Sequence, residues 1–157
     1  MKRLTFYDGI DTAPSYSPDG DFITFESDRS GSQKIYIMNL KTKKIKRISF
    51  GKGKYATPVW SPRGDLIAFT KLLGGEFYIG VMYTDGKGER VVYKSYLVEG
   101  PTWSPNGRVI AFYNQNKLSG GRITDPKIKM IDLTGINLRE LVTPSDGSDP
   151  AWSGLLP

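Results

Sequence analysis

Apolar side chains fall in short runs along the chain, separated by turns rich in proline, glycine and aspartate. In the runs Phe22–Phe25, Leu66–Phe69 and Val109–Phe112, nearly every position is apolar, without the alternation of a strand that has one solvent-facing side. Such runs are typical of strands buried on both faces, and no stretch has the sustained period of a helix. The pattern predicts an all-β protein built from small sheets stacked face to face.

A proline-led phrase introduces each apolar run and recurs along the chain. "PSYSPDG" begins at Pro14, "PVWSPRG" at Pro58, "PTWSPNG" at Pro101 and "PAWS" at Pro150. The serines that follow the aromatic residue are 44, 43 and 49 residues apart, and periods of this length are typical of repeat architectures. The third period is the longest because it contains a polar insertion within "YNQNKLSGGRITDPK".

Each repeat is predicted to form four short strands. The proline leads the first strand, because it donates no hydrogen bond and suits a strand start. The apolar run is the second strand, and "KIYIMNL", "FYIGVMY" or "KIKMIDL" is the third. In the turn "SPxG", proline and glycine stand where their backbone preferences favour a turn. Four strands in roughly 40–50 residues are typical of one β-propeller blade.

The predicted architecture is one partial propeller domain over residues 1–157, with three four-stranded antiparallel blades and a leftover strand at each end. Its segments are the end of a preceding blade at 1–13, blades at 14–49, 57–92 and 101–142, and a closing innermost strand at 150–157. The aromatic residues of the phrase are predicted to be structural wedges between blades. They are Tyr16, Trp60, Trp103 and Trp152.

Composition excludes several kinds of chemistry. The chain has no histidine and no cysteine, so it cannot supply a Ser-His-Asp triad, a disulfide or a thiolate metal site. Its paired aspartates lack the spacing of a calcium loop, and no metal or cofactor is predicted. No apolar run is long enough to cross a bilayer.

The net charge of +6 suggests acidic partners. The basic run "KTKKIKR" at 41–47 is interpreted as a solvated turn and outer strand, and no aromatic platform points to nucleic acid. A second basic group is predicted on the loops of one rim, where it would either steer an acidic partner or serve solubility. It comprises Lys52, Lys54, Lys94, Lys117 and Arg122.

The repeat resembles that of the TolB-type propellers, "PxWSPDGxxIAFxSDRxGxxxIYxMxLxxxxxxRLT". The segment from Pro14 to Ser49 follows this pattern closely, and "PSDGSDPAWSGLLP" is similar to the end of such a propeller. The resemblance implies the last half of a six-bladed propeller. It also implies a periplasmic, non-enzymatic protein of the Tol–Pal cell-envelope system, which supports outer-membrane integrity and cell division.

The resemblance further implies a partner, the peptidoglycan-associated lipoprotein, together with other Tol proteins and without insertion into a membrane. The lipoprotein would sit over the propeller mouth, against residues just before each proline-led phrase. On this chain those residues are Asp11, Thr12 and Ala13, then Tyr55, Ala56 and Thr57, then Val98, Glu99 and Gly100. An equally weighted interpretation is that they are ordinary turn residues.

Two other functions stay open. The chain could be a substrate-gating propeller fragment of a prolyl-oligopeptidase-like serine peptidase, although it has no Gly-x-Ser-x-Gly motif. It could also be a truncated repeat protein without a partner. Under each of these functions, and under the Tol–Pal function, three blades leave two blade faces exposed, so a homodimer completing a propeller-like ring is expected.

Overall fold

The computed structural model describes residues 3–153, which form three four-stranded antiparallel sheets. In each sheet the strands lie side by side in chain order. The first sheet contains β1 Asp11–Tyr16, β2 Phe22–Ser27, β3 Lys34–Asn39 and β4 Ile45–Arg47. The second contains β5 Lys54–Trp60, β6 Leu66–Leu73, β7 Glu76–Tyr83 and β8 Arg90–Ser95. The third contains β9 Leu97–Trp103, β10 Val109–Gln115, β11 Lys127–Asp132 and β12 Arg139–Leu141.

The all-β prediction is confirmed. The helical structure found in residues 3–153 is a single 3₁₀ turn, Ser119–Gly121, within the insertion of the third blade. None of the helical structure in that range is long and apolar enough to cross a membrane. The insertion joins β10 to β11 and leaves their pairing intact, since Val109 still lies opposite Asp132 and Asn114 opposite Lys127.

The prolines of the repeated phrase were predicted to lead the first strand of each blade. In the structure they lie inside that strand. In the first blade, Thr12 pairs with Glu26 and Ser15 with Thr24, so the first strand has one extra residue. This is a β-bulge, a place where a residue without an N–H group is tolerated in a sheet. The same shift of register occurs in β5 and β9.

The residue before each of these prolines has a positive φ angle. The angles are 49° at Ala13, 45° at Thr57 and 60° at Gly100. Residues other than glycine adopt this conformation at an energetic cost, and it recurs at Asp149, before Pro150, with a φ of 48°. The positive φ angle is therefore a property of every copy of the phrase, including the last.

Two of the three buried apolar clusters lie between blades, and the third, with Ile23, Phe25, Tyr36 and Met38, lies on the first blade. The first joint, between the first and second blades, contains Ile35, Ile48, Tyr55, Trp60, Ile67, Phe69 and Met82. The second joint, between the second and third blades, contains Leu66, Ala68, Ile79, Val81, Val92, Val98, Trp103, Ile110, Phe112 and Ile131. Alternate residues of β6 belong to different joints, so this strand is buried on both faces, as predicted.

The wedge prediction is confirmed for the two tryptophans that lie between described blades. The Trp60 ring packs on Phe22 of the preceding blade, with ring centroids 6.2 Å apart. The Trp103 indole N–H donates a hydrogen bond to the Val59 carbonyl at 3.0 Å. Tyr16 is 61% exposed and Trp152 is 40% exposed, since no full blade of residues 3–153 encloses either of them.

The leftover strands predicted at the two ends are not strands within residues 3–153. Lys2 and the last residues of the predicted closing strand lie outside the described range. A strand needs a hydrogen-bonded neighbour, and the segments at 3–5 and 150–153 have none on which to form a ladder. These segments therefore lack the neighbouring strands of a complete blade, and the leftover strand at each end stays a prediction.

The N-terminal segment nevertheless copies the contacts of its repeat equivalent. The Arg3 side chain donates to the Thr5 carbonyl at 2.6 Å, as Arg47 donates to Ser49 at 2.7 Å. Each guanidinium lies over a following phenylalanine ring, Phe6 or Phe50, at 5.3 Å and 5.2 Å. The position of the segment thus follows the repeat even though its sheet is incomplete.

Candidate functional site

Two classes of loop lie at the same end of the molecule. Successive strands run in opposite directions, so the loops between second and third strands share an end with the loops that lead from one blade to the next. They are residues 28–33, 48–53, 74–75, 96 and 116–126, and together they form what we call the mouth rim. The predicted partner-binding residues begin where the innermost strands leave this rim.

The nine predicted residues occupy three equivalent positions in the three blades. The first members are Asp11, Tyr55 and Val98, the second members are Thr12, Ala56 and Glu99, and the third members, at the bulge, are Ala13, Thr57 and Gly100. We call the three residues of each blade a trio. The bulge, with its positive φ angle at the third member, is the same in each trio. Whether they bind a partner stays a prediction.

Burial differs within the trios. Tyr55 and Val98 are completely enclosed, so their side chains fill the joints and cannot touch a partner. Thr12 and Glu99 are exposed. A docked protein would therefore meet the second members and the bulged backbone, with the first members acting as support.

Asp11 supports the first trio through an ion pair. Both oxygens of its carboxylate accept from the Arg29 guanidinium, at 2.9 Å and 2.8 Å. Partial burial acts to raise the pKa of Asp11, but hydrogen bonds from Ser27 and Arg29 outweigh it and hold the pKa below the usual value. Arg29 also lies over the Tyr36 ring at 5.0 Å. The pair anchors the start of β1 to the loop after β2.

Tyr55 supports the second trio through a charged cluster. Its hydroxyl donates to the carboxylate of Glu89 at 2.8 Å, and Lys71 Nζ donates to the same carboxylate at 2.5 Å. Lys71 and Lys34 lie over the Tyr55 ring, at 4.7 Å and 4.8 Å from its centroid. The ring is thus held between two cations and one carboxylate.

The cluster shifts the pKa values of its members. Burial raises the pKa of Tyr55, and the bond to Glu89 adds to this. Burial lowers the pKa of Lys34, and the charges of Arg47 and Lys71 lower it further. Burial also acts to lower the pKa of Lys71, but hydrogen bonds to Glu89 and Tyr55 raise it overall.

Lys34 binds the mouth rim directly. Its Nζ donates to the carbonyls of Gly51 and Gly53, at 2.9 Å and 2.6 Å. The loop between the first two blades is therefore fixed by a largely buried cation. Sequence reasoning missed Lys34 and the carboxylate of Glu26, although a charged residue beside an apolar strand was a visible signal for both.

The predicted basic rim is only partly free to attract a partner. All five side chains are exposed. Lys94, however, forms an ion pair with Glu76 at 2.7 Å, and Lys117 lies over the Tyr96 ring at 5.6 Å. Of the other three, Lys52 lies in the loop before β5 and Lys54 is the first residue of β5, so both lie beside the second trio.

The third trio borders an open cavity of about 260 Å³. Glu99, Gly100 and Tyr113 line one side, and Ser148 and Asp149 line the other. Burial raises the pKa of Tyr113, and the charges of Glu99 and Asp146 raise it further.

Within residues 3–153, no group of three carboxylate, histidine or cysteine side chains is placed to hold a metal ion. The arrangement suits recognition of a surface.

The chain is similar in sequence and in fold to several known proteins. A family described as "TolB beta propeller domain" matches residues 1–156. The Tol-Pal system protein TolB of Zymomonas mobilis is 62% identical over 85 residues, which are 54% of this chain and 18% of that protein. The crystal structure of TolB from Acinetobacter baumannii superposes with a TM-score of 0.81 at 26% identity, over 96% of this chain and 37% of that one.

Peptidase propellers share the fold alone. Acylaminoacyl peptidase of Pyrococcus horikoshii superposes with a TM-score of 0.64 at 16% identity, over 85% of this chain and 25% of that enzyme. An identity this low carries no functional information. The matched segment spans less than a fifth of the curated relative from Zymomonas mobilis.

Proposed function

The chain belongs to the TolB β-propeller family, and from this membership we propose that it is a protein-binding propeller of the Tol–Pal cell-envelope system. The identity of 62% to a Tol-Pal system protein, over 85 residues, is the observation that carries the proposal. It would act without catalysis, in the periplasm, in support of outer-membrane integrity and cell division. The absence of histidine and cysteine from the sequence agrees with a role in binding.

The proposed partner is the peptidoglycan-associated lipoprotein, docked on the mouth rim, within an assembly that includes other Tol proteins. The exposed second members Thr12 and Glu99 and the bulged backbone at Gly100 would meet it directly. Three equivalent trios beside one rim offer a series of contacts, and binding energy in protein interfaces comes from a few of them. The basic side chains near Lys52 would speed the approach of an acidic surface.

Calorimetric titration of the chain with the purified lipoprotein tests this proposal. We expect saturable binding, weakened about tenfold by Lys52→Glu, which reverses an exposed positive charge on the mouth rim beside the second trio. Lys41→Glu makes the same change in an exposed turn at the opposite end and should leave binding unaltered. No heat at concentrations where a full-length TolB binds, or equal losses in both variants, would contradict the proposed site.

The two open blade faces motivate a second part of the proposal, self-association. A groove of about 190 Å³ on the first blade lies beside Leu4 and the buried Ile23, Phe25 and Met38, against which Leu4 packs. Val142, at the far end of the third blade, is 91% exposed. We propose a homodimer in which these faces meet. Sedimentation velocity over a range of concentrations tests it, and a monomer throughout would refute it.

A further inference from the structure

We infer that Glu26 is a positioning residue that couples the first two trios of the mouth rim and holds their spacing. The inference rests on the proposed function for its consequence in binding, and on geometry alone for the coupling itself. Glu26 lies in β2 of the first blade and is 7% exposed. A carboxylate that is this deeply buried is costly unless hydrogen bonds satisfy it.

Each oxygen of the carboxylate serves a different blade. Oε1 accepts a hydrogen bond from the Thr12 hydroxyl in the first blade, at 2.7 Å. Oε2 accepts from the backbone N–H of Thr57 in the second blade, at 2.8 Å. Thr12 and Thr57 belong to successive predicted contact trios. One rigid group therefore fixes the distance between them.

The Thr57 contact falls at a strained point of the backbone. Thr57 has a φ angle of 45°, a conformation that β-branched residues seldom adopt. Such a conformation persists when surrounding contacts determine it. Its N–H is held by Glu26, while its hydroxyl shares a hydrogen bond with Thr70 at 2.8 Å. Two bonds thus hold one residue, and only the first of them crosses the joint.

A second hydrogen bond across the same joint supports this arrangement. The backbone N–H of Trp60 donates to the Ser15 hydroxyl at 3.0 Å. Ser15 and Thr12 lie on either side of the bulge in β1, as Trp60 and Thr57 flank Pro58 in β5. The innermost strands of the first two blades are therefore bridged on both sides of their bulges by side-chain acceptors.

The second joint shows what happens without the carboxylate. Thr70 occupies in the second blade the register position of Glu26, opposite Ala56. Its hydroxyl bonds within its own blade, to Thr57. At the corresponding bulge of the third blade stands Gly100, which adopts a positive φ without strain. At the first joint, the carboxylate of Glu26 thus faces the strained Thr57. At the second joint, Thr70, with its short hydroxyl, occurs with the unstrained Gly100.

Replacement of Glu26 by threonine is the decisive variant, because it copies the residue that the second blade carries at this position. The shorter side chain still reaches its own blade but not Thr57 N–H. We expect the Thr57 amide to exchange with solvent about tenfold faster, as for loss of one hydrogen bond. Affinity for the purified peptidoglycan-associated lipoprotein should fall about tenfold, because the two trios lose their common support.

Glu26→Gln distinguishes hydrogen bonding from charge. A glutamine amide can accept from Thr57 N–H and donate to the Thr12 oxygen, so this variant should exchange and bind like the parent chain. Thr70→Val is the matched control, since it removes the other bond to Thr57 and leaves the bridge between blades intact. It should leave lipoprotein affinity unchanged.

Three results would overturn the inference. They are a Thr57 amide as protected in Glu26→Thr as in the parent chain, a Glu26→Gln variant that behaves like Glu26→Thr, and a Thr70→Val variant that loses equal affinity. If the parent chain does not bind the lipoprotein, the proposed function fails. Hydrogen exchange at Thr57 then still decides whether Glu26 couples the blades.

Discussion

The two joints of the molecule have the same geometry and different chemistry. In each, apolar residues of one blade pack on residues from the first three strands of the next. At the rim end of the first joint stands Tyr55, bonded to Glu89 and flanked by Lys34 and Lys71. At the same place in the second joint stands Val98, enclosed by apolar side chains.

This difference separates what the fold requires from what the rim adds. A buried ion pair is not needed to hold two blades, because the second joint does so with apolar residues such as Val98 and Phe112 and hydrogen bonds such as that of Trp103. Buried charges are costly to desolvate and contribute little net stability compared with apolar residues of the same size. The charged end of the first joint is therefore better explained by a role in positioning the mouth rim, because Lys34 binds the loop carbonyls of Gly51 and Gly53.

The largest effect should come from the apolar layer of the second joint. Phe112 is completely buried, and Phe112→Ala should lower the free energy of unfolding by about 3–5 kcal/mol through lost burial and a cavity. Urea denaturation followed by tryptophan fluorescence measures the change. The equivalent Phe69→Ala in the first joint should cost a similar amount, and a large disparity would show that the joints are not equivalent.

A smaller loss should follow from breaking the charged cluster of the first joint. Glu89→Ala leaves the Tyr55 hydroxyl and Lys71 without their acceptor, at a cost of about 1–3 kcal/mol in the free energy of unfolding. Glu76→Ala removes the partner of Lys94 in an exposed pair and should have a much smaller effect, because solvent screens such a pair. Equal effects in the same urea assay would mean that the cluster is no more than surface charge.

The hydrogen bonds of the two wedges provide a finer comparison. Trp103→Phe removes the bond from the indole to Val59 across the second joint and should cost about 1 kcal/mol. Trp60→Phe removes a longer bond, 3.3 Å, to Gly64 within its own blade. Thermal unfolding should show a lower midpoint for the first variant, and the reverse order would argue against a bond across the joint.

The smallest predicted effect is a dependence on alkaline pH. The folded-state pKa values of Tyr55 and Lys71 are raised, so the native chain retains protons that the unfolded chain releases, and stability falls as pH rises above about 10. The lowered pKa of Lys34 acts in the opposite direction. Tyr55→Phe should flatten the alkaline decline in urea titrations, and an unchanged slope would contradict the assignment.

The repeat made the fold predictable from sequence. Continuous apolar runs at Leu66–Phe69 and its equivalents gave the doubly buried second strand, and the Ser-Pro-x-Gly turn is closed by bonds such as Gly20 N–H to the Ser17 carbonyl at 2.9 Å. The bulge at Pro58 was not predicted, because a proline suits a strand start as well as a bulge. Only the pairing partner distinguishes them.

The site was less predictable because its contacts join distant segments. Thr57 meets Glu26, which lies 31 residues away, and Tyr55 meets Glu89, which lies 34 residues away. A local motif carries no information on such pairs. The repeat placed the trios at equivalent positions, but it could not show that Tyr55 and Val98 face inward.

The N-terminal segment, which keeps the contacts of Arg47 and Phe50 at Arg3 and Phe6, has a thermodynamic consequence. It adopts its place through interactions with its own residues and one adjoining blade, so the chain behaves as a one-dimensional array in which only nearest neighbours interact. Its unfolding should then follow an Ising-type description, in which each appended or deleted blade changes stability by a nearly constant increment. Cooperativity in such an array arises from blade-to-blade coupling and does not require a closed ring.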